Sequence, residues 1–160
     1  MQDEMIRQYD HTWKVFKRLV KDFEPDAWIH TGRNAMTPAR LSYHILGSTR
    51  FYIEDESSLQ FKSGKPFKGD WVDCSEEDLP TQADILDAID TIAMDTERWL
   101  NELDFGAPNE TFPWAGKAQL SVTVFLIRHS LYHLGELSAL LNESKHGDVE
   151  DHYVLANQED

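Results

Sequence analysis

Cysteine is nearly absent. Cys74 stands alone among 160 residues, so no intrachain disulfide can form, as a reduced cytosol would leave a chain. Basic residues are scarce as well: 15 Lys and Arg face 29 Asp and Glu, for a formal net charge of −14. That balance argues against nucleic-acid binding, which needs clustered cations to displace counterions from phosphates. It equally argues against docking on an anionic membrane leaflet. No long hydrophobic run exists. The longest, Leu120–Ile127, is broken by Ser121 and Thr123 and is far too short to span a bilayer. The opening Met1-Gln2-Asp3-Glu4 lacks the basic start and apolar stretch of a secretory signal. These absences lead to the expectation of a cytoplasmic protein.

What is present is apolar mass. Hydrophobic residues make up 41% of the chain, with 8 Phe, 5 Trp and 5 Tyr, enough for a real core. Their spacing is helical in four segments, near residues 3–23, 38–61, 82–103 and 121–143. In the first, Met5, Tyr9, Trp13, Phe16, Val20 and Phe23 fall on one face, and Pro25 ends the run. The second opens with Thr37-Pro38, a hydroxyl cap before a proline at the first helical position. Leu41, Ile45, Tyr52 and Leu59 form its stripe. The third starts at Thr81, with Asp84 three residues on as a variant of the capping box. Ile85, Ile89, Ile92, Trp99 and Leu103 make its inner face. The fourth carries Val122, Phe125, Leu126, Leu137 and Leu140.

No segment shows the two-residue alternation of a sheet. The pattern therefore predicts an all-α protein: a four-helix bundle over residues 1–145, followed by an acidic tail over 146–160. Connections 62–80 and 104–120 are long enough for a crossover between parallel helices. Trp71 and Trp114 suggest that these loops pack on the helices. The tail has Tyr153, Val154 and Leu155 as its apolar cluster, which leaves weak docking and mobility both open.

The chemistry concentrates in His129-Ser130-Leu131-Tyr132-His133. Helical residues turn by about 100° each, so positions four apart differ by only ~40°. Val122, Phe125, His129, His133, Glu136 and Leu140 then share a narrow face, which points both imidazoles into the bundle. Such a pair needs hydrogen-bond partners or a metal. A pair of satisfied core histidines is the competing reading. A catalytic metal site normally takes a third ligand and keeps one position open. Of the other five histidines, His44 is the best placed, at the margin of the helix 2 stripe beside Ser48, Phe51 and Asp55. His11 and His30 are weaker candidates, and His146 and His152 read as solvated tail residues. A zincin motif fails because position 130 is Ser. A ferritin-like di-iron site fails because Glu143-x-x-His146 is its only match. Cys74 lies among Asp73, Glu76, Glu77 and Asp78, where negative charge disfavours the thiolate.

His129-Ser-Leu-Tyr-His133-Leu-Gly135-Glu136-Leu137 resembles the fourth-helix signature of the DinB-like superfamily, His-x-x-x-His-x-Gly-Gln-Leu. Leu41-Ser-Tyr-His44-Ile-Leu-Gly47 resembles the second-helix segment that supplies that family's third histidine, here 85 residues before the pair. The resemblance implies an up-down-down-up bundle, with His44, His129 and His133 holding one divalent ion such as Zn, Ni or Fe. Relatives include transferases and isomerases that use low-molecular-weight thiols. A metal-dependent transferase, or a hydrolase acting on a small-molecule substrate, is thus expected, and a homodimer with it. Non-catalytic metal binding in a stress-associated module is the alternative. Where the family often has Gln, this chain has Glu136, which can orient a ligand histidine, act as a base, or pair with Arg50 or Arg128.

Overall fold

The computed structural model describes residues 1–32, 36–54, 61–65, 72 and 75–158. These residues are all-helical: α1 (Gln2–Asp22), α2 (Pro25–His30), α3 (Pro38–Glu54), α4 (Gln82–Glu102), α5 (Gln119–Ser144) and α6 (His152–Leu155). No strand occurs among them, and Pro108 and Ala118 make only an isolated bridge. Among the described residues, no helix is long and apolar enough to cross a membrane. The extension expected for the second segment beyond Glu54 reaches 55–60, outside the described residues, as do Trp71 and Cys74.

Each long helix follows from its apolar stripe. Along α1, Tyr9, Trp13, Phe16, Leu19 and Val20 are buried, and removing such a side chain from water is worth roughly 1.5–3 kcal/mol. Pro25 cannot continue α1 and instead sits at the first position of α2, where its missing N–H costs nothing. Trp28 on α2 is buried, and its indole N–H donates to the Pro80 carbonyl at 3.0 Å. On α4, Thr81 forms the capping box with Asp84 that the sequence predicts. The Thr37 cap does not form. Its hydroxyl is buried without a partner among the described residues, while its carbonyl accepts from Leu41 N–H. On α4 the far end of the buried stripe is Thr96 and Leu100, with Trp99 and Leu103 only half-buried.

Four helix pairs enclose the core: α1 with α4, α4 with α3, α3 with α5, and α5 with α1. Between them lie Phe16, Val20, Leu41, Ile45, Ile89 and Leu137, all without exposure. Polar ties fix the registers. Gln2 at the start of α1 donates to the Leu100 and Asn101 carbonyls at the end of α4. Gln82 at the start of α4 donates to the Val20 and Phe23 carbonyls at 2.8 Å. The Tyr9 hydroxyl donates to the Thr123 carbonyl at 2.8 Å, and Arg50 pairs with Asp95 across α3 and α4 at 3.2 Å.

The loop before α5 is organised by Asn109. Its side-chain amide donates to the Phe112 and Gly116 carbonyls and accepts from Phe112 N–H. Gly116 has φ of +121°, and a Cβ there would meet Ser121 Cβ at 2.6 Å. Only glycine fits that approach. Trp114 packs its loop on the helices, as the sequence suggests, while keeping much of its ring in solvent. It is 59% exposed, held by its N–H to Tyr52 Oη at 2.8 Å and by its edge on Phe112.

His152 is not the solvated residue expected of a polar tail. It is buried, and its Nε2–H donates to Asp22 Oδ2 at 2.9 Å, while Lys145 pairs with the same carboxylate. Ala156 is buried too, and His11 donates to the Tyr153 carbonyl at 3.0 Å. Sequence periodicity misses this because α6 spans a single turn, too short to show a stripe. His146 is exposed, as expected. Burial raises the Asp22 pKa, but bonds from Lys145 and His152 outweigh it and hold the carboxyl below its ordinary value of 3.8. A depressed carboxyl stabilises the fold above its unfolded pKa, and that contribution vanishes as pH falls through the folded pKa. Asp22→Asn should therefore cost about 1 kcal/mol at neutral pH. In urea denaturation series, the gap between the two proteins should close below about pH 4.

Candidate metal centre

His44 on α3 and His129 and His133 on α5 converge across the α3–α5 contact. One ring nitrogen of each lies within 4.8 Å of the other two. Ring centroids stand 4.6 Å apart for His44–His133 and His129–His133, and 5.2 Å for His44–His129. The i, i+4 spacing stacks the two α5 rings on successive turns. Nearby, Tyr52 meets Phe125 with centroids 5.4 Å apart, so successive residues of α3 descend α5 in reverse order and His44 arrives level with the pair.

The histidine face is not the buried centre of α5. The buried line is Val122, Leu126, Ser130, Leu134, Leu137 and Leu141, and each histidine precedes one of these residues, about 100° around the helix. His44, His129 and His133 are all half-buried. A helical wheel places apolar and histidine positions on one arc, but α5 packs against both α1 and α3. Its centre is set by both neighbours together.

His133 Nδ1 lies 2.7 Å from Glu136 Oε2. An ionised carboxylate only accepts, so the Nδ1 carries the proton and Nε2 presents its lone pair. His133 Nε2 stands 3.2 Å from His129 Nε2. Two nitrogens bound to one tetrahedral ion at ~2.0–2.1 Å would be separated by roughly 3.3 Å. The α5 pair thus already has ligand spacing, and His44 has at most about 1.5 Å to close. His129 Nδ1 is buried with no partner among the described residues. Phe125 lies almost parallel to the His129 ring, at 16° and 6.1 Å, and Tyr132 sets its edge to His133 at 5.1 Å.

Burial, reinforced by the neighbouring His133 and His129, drives the His44 pKa from 6.5 to about 4. His129 is lowered by burial and by His133, against a smaller opposing pull from Glu136. Neutral imidazole is the ligand form, so at neutral pH these rings offer lone pairs without first losing protons. The donor set of three imidazoles with one carboxylate behind fits a divalent ion of the transition series.

The remaining candidates lie elsewhere. His30 bonds to Asp26 within α2, His11 to Tyr153, and His152 to Asp22. Neither arginine takes Glu136: Arg50 is engaged by Asp95, and Glu136 bonds His133. The flanking Tyr132 carries no weight in a sequence reading because an exposed aromatic at a helical position has no distinguishing period. Neither protein-family models nor curated proteins give a match for this chain.

The folded pKa of His44 lies below its unfolded value, so between them the unfolded chain binds more protons and stability rises with pH. Chelator-treated protein should therefore gain stability from about pH 4 to about pH 6.5. His44→Phe should flatten that slope in thermal unfolding measured across the interval.

Proposed function

We propose that this chain is a metal-dependent enzyme of the DinB-like type, with His44, His129 and His133 as ligands to one divalent ion. The observation that carries this reading is the 3.2 Å Nε2–Nε2 spacing of His129 and His133, with His44 beside them and Glu136 behind. The DinB-like motifs of both segments coincide with these three residues. The proposed architecture is a four-helix bundle of α1, α3, α4 and α5 with up-down-down-up topology. Its support is the pairing of ends: Gln2 with Leu100 and Gln82 with Phe23 oppose α1 and α4. Arg50 with Asp95 aligns α3 with α4, Tyr52 with Phe125 and His44 with His133 oppose α3 and α5, and Tyr9 with Thr123 and Asp22 with Lys145 align α5 with α1.

Held by His44, His129 and His133, a divalent ion such as Zn, Ni or Fe would supply Lewis acidity that favours the ionised form of water or a thiol near neutral pH. The chain's own residues prepare for this. Glu136 fixes the tautomer and ring orientation of His133 through its 2.7 Å bond. Phe125 lies against the His129 ring and Tyr132 sets its edge to His133, flanking the ligand pair. The reaction this supports is transfer of a low-molecular-weight thiol to a small electrophilic substrate, or hydrolysis by the same site. We place such an enzyme in the cytoplasm as a homodimer.

Metal per protein, measured by mass spectrometry on untagged protein, tests the ligand set. Each of His44→Ala, His129→Ala and His133→Ala should lose most of the metal while circular dichroism stays unchanged. Equal metal content in all four proteins would defeat the reading. Glu136→Gln should retain metal with about 10–100-fold weaker affinity or activity, read by competition with a chromogenic chelator and by thiol transfer to chloro-aromatic or epoxide acceptors.

A further inference from the structure

Beside the three histidines, α5 presents a depression of about 450 Å³ whose lining includes Phe125, Arg128, His129, Leu131 and Tyr132. Its walls are unusual for an acidic surface. Phe125 and Tyr132 lie two turns apart, about 10.5 Å along the helix, and Tyr132 is 66% exposed. Arg128 lies between them on the same face. It is exposed and has no ion-pair or hydrogen-bond partner among the described residues. In a chain of net charge −14, an unpaired guanidinium next to a ring nitrogen cluster is a specific attraction for one sign of ligand. The nearby carboxylate of Glu136 is hydrogen-bonded to His133, which leaves Arg128 without a local counterion.

We propose that this depression takes an anionic aromatic substrate, its ring between Phe125 and Tyr132 and its carboxylate on Arg128. The inference rests on the metal-centre reading for its catalytic meaning and names the substrate class of that centre. Its binding chemistry stands separately. A planar guanidinium meets a carboxylate with two parallel N–H donors, and stacking on exposed aromatic faces orients the ring. Held this way, the ring of the substrate lies over His129, one of the three histidines. Arg128 is thereby a specificity residue that selects acids over neutral aromatics, and Tyr132 a positioning surface. The aromatic series continues along α3 and the loop before α5: Phe125 to Tyr52, Tyr52 to Phe112, and Phe112 to Trp114, with centroids 4.8–5.8 Å apart. This leaves an apolar track for a longer substrate.

The test is calorimetric titration of the full chain, metal-loaded and chelator-treated, with naphthoate and with the neutral isostere naphthalenemethanol. Naphthoate should bind at least about tenfold more tightly than the alcohol. Arg128→Gln should bring the acid to the alcohol's affinity, Arg128→Lys should fall between, and Tyr132→Ala should weaken both ligands. Equal affinity for acid and alcohol, unchanged affinity in Arg128→Gln, or no binding of either ligand would overturn the proposal. Metal content measured on the same samples separates the two ideas. A chain that takes up no metal when metal is supplied, yet binds naphthoate through Arg128, upholds the anion site and removes the metal reading. A metal-loaded chain indifferent to naphthoate does the reverse.

Discussion

Three imidazoles held within 4.8 Å of one another impose a condition on the whole molecule. Burial and mutual repulsion both penalise the charged forms of His44 and His129. Burial acts first on His44 and is reinforced by His133 and His129. That burial exists only because α3 and α5 pack closely along a shared aromatic and aliphatic seam. The seam in turn requires α1 and α4 to close the far side of the core, so the lowered pKa values of His44 and His129 depend on helices that contribute neither ring.

Glu136 has a distinct part in this arrangement. One turn along α5 from His133, it supplies the negative end of a hydrogen bond that decides which nitrogen of that ring carries the proton. A glutamine there could still accept that bond, but without the carboxylate's charge. The chain as a whole is strongly acidic, so a divalent cation gains from the surrounding field and an anion must find a local cation such as Arg128.

The C-terminal segment shows how a small number of polar contacts can order a stretch with little apolar content. Asp22 at the end of α1 receives both Lys145 and the buried His152. Along α1 the Tyr153 carbonyl meets His11, and Ala156 packs without exposure beyond 2%. A cleft of about 540 Å³ lies beneath, between α1, α5 and this segment, and its lining includes Val15, Leu19, Leu134 and His152. The cleft is separate from the histidine cluster, and its acidic rim of Glu150 and Asp151 contrasts with Arg128 beside the cluster.

Much of this was written in local spacing. The four long helices follow from stripes such as Tyr9-Trp13-Phe16-Val20 and Ile85-Ile89-Ile92, and the Thr81–Asp84 cap follows from two letters three residues apart. The adjacency of His129 and His133 is also local, since a helix sets i, i+4 neighbours by its own geometry. His44 was singled out by its place at the edge of a stripe. Its contact with the α5 pair across 85 residues is decided by how α3 lies on α5. Nothing local fixes which arc of α5 faces the centre, since two neighbouring helices compete for it, and so the histidines stand beside the buried line rather than on it. The same holds for His152, whose burial depends on Asp22, 130 residues earlier. Periodicity determines each helix because its cause lies within a few turns. Convergence of side chains from separate helices has its cause in packing, and only the tertiary structure decides it.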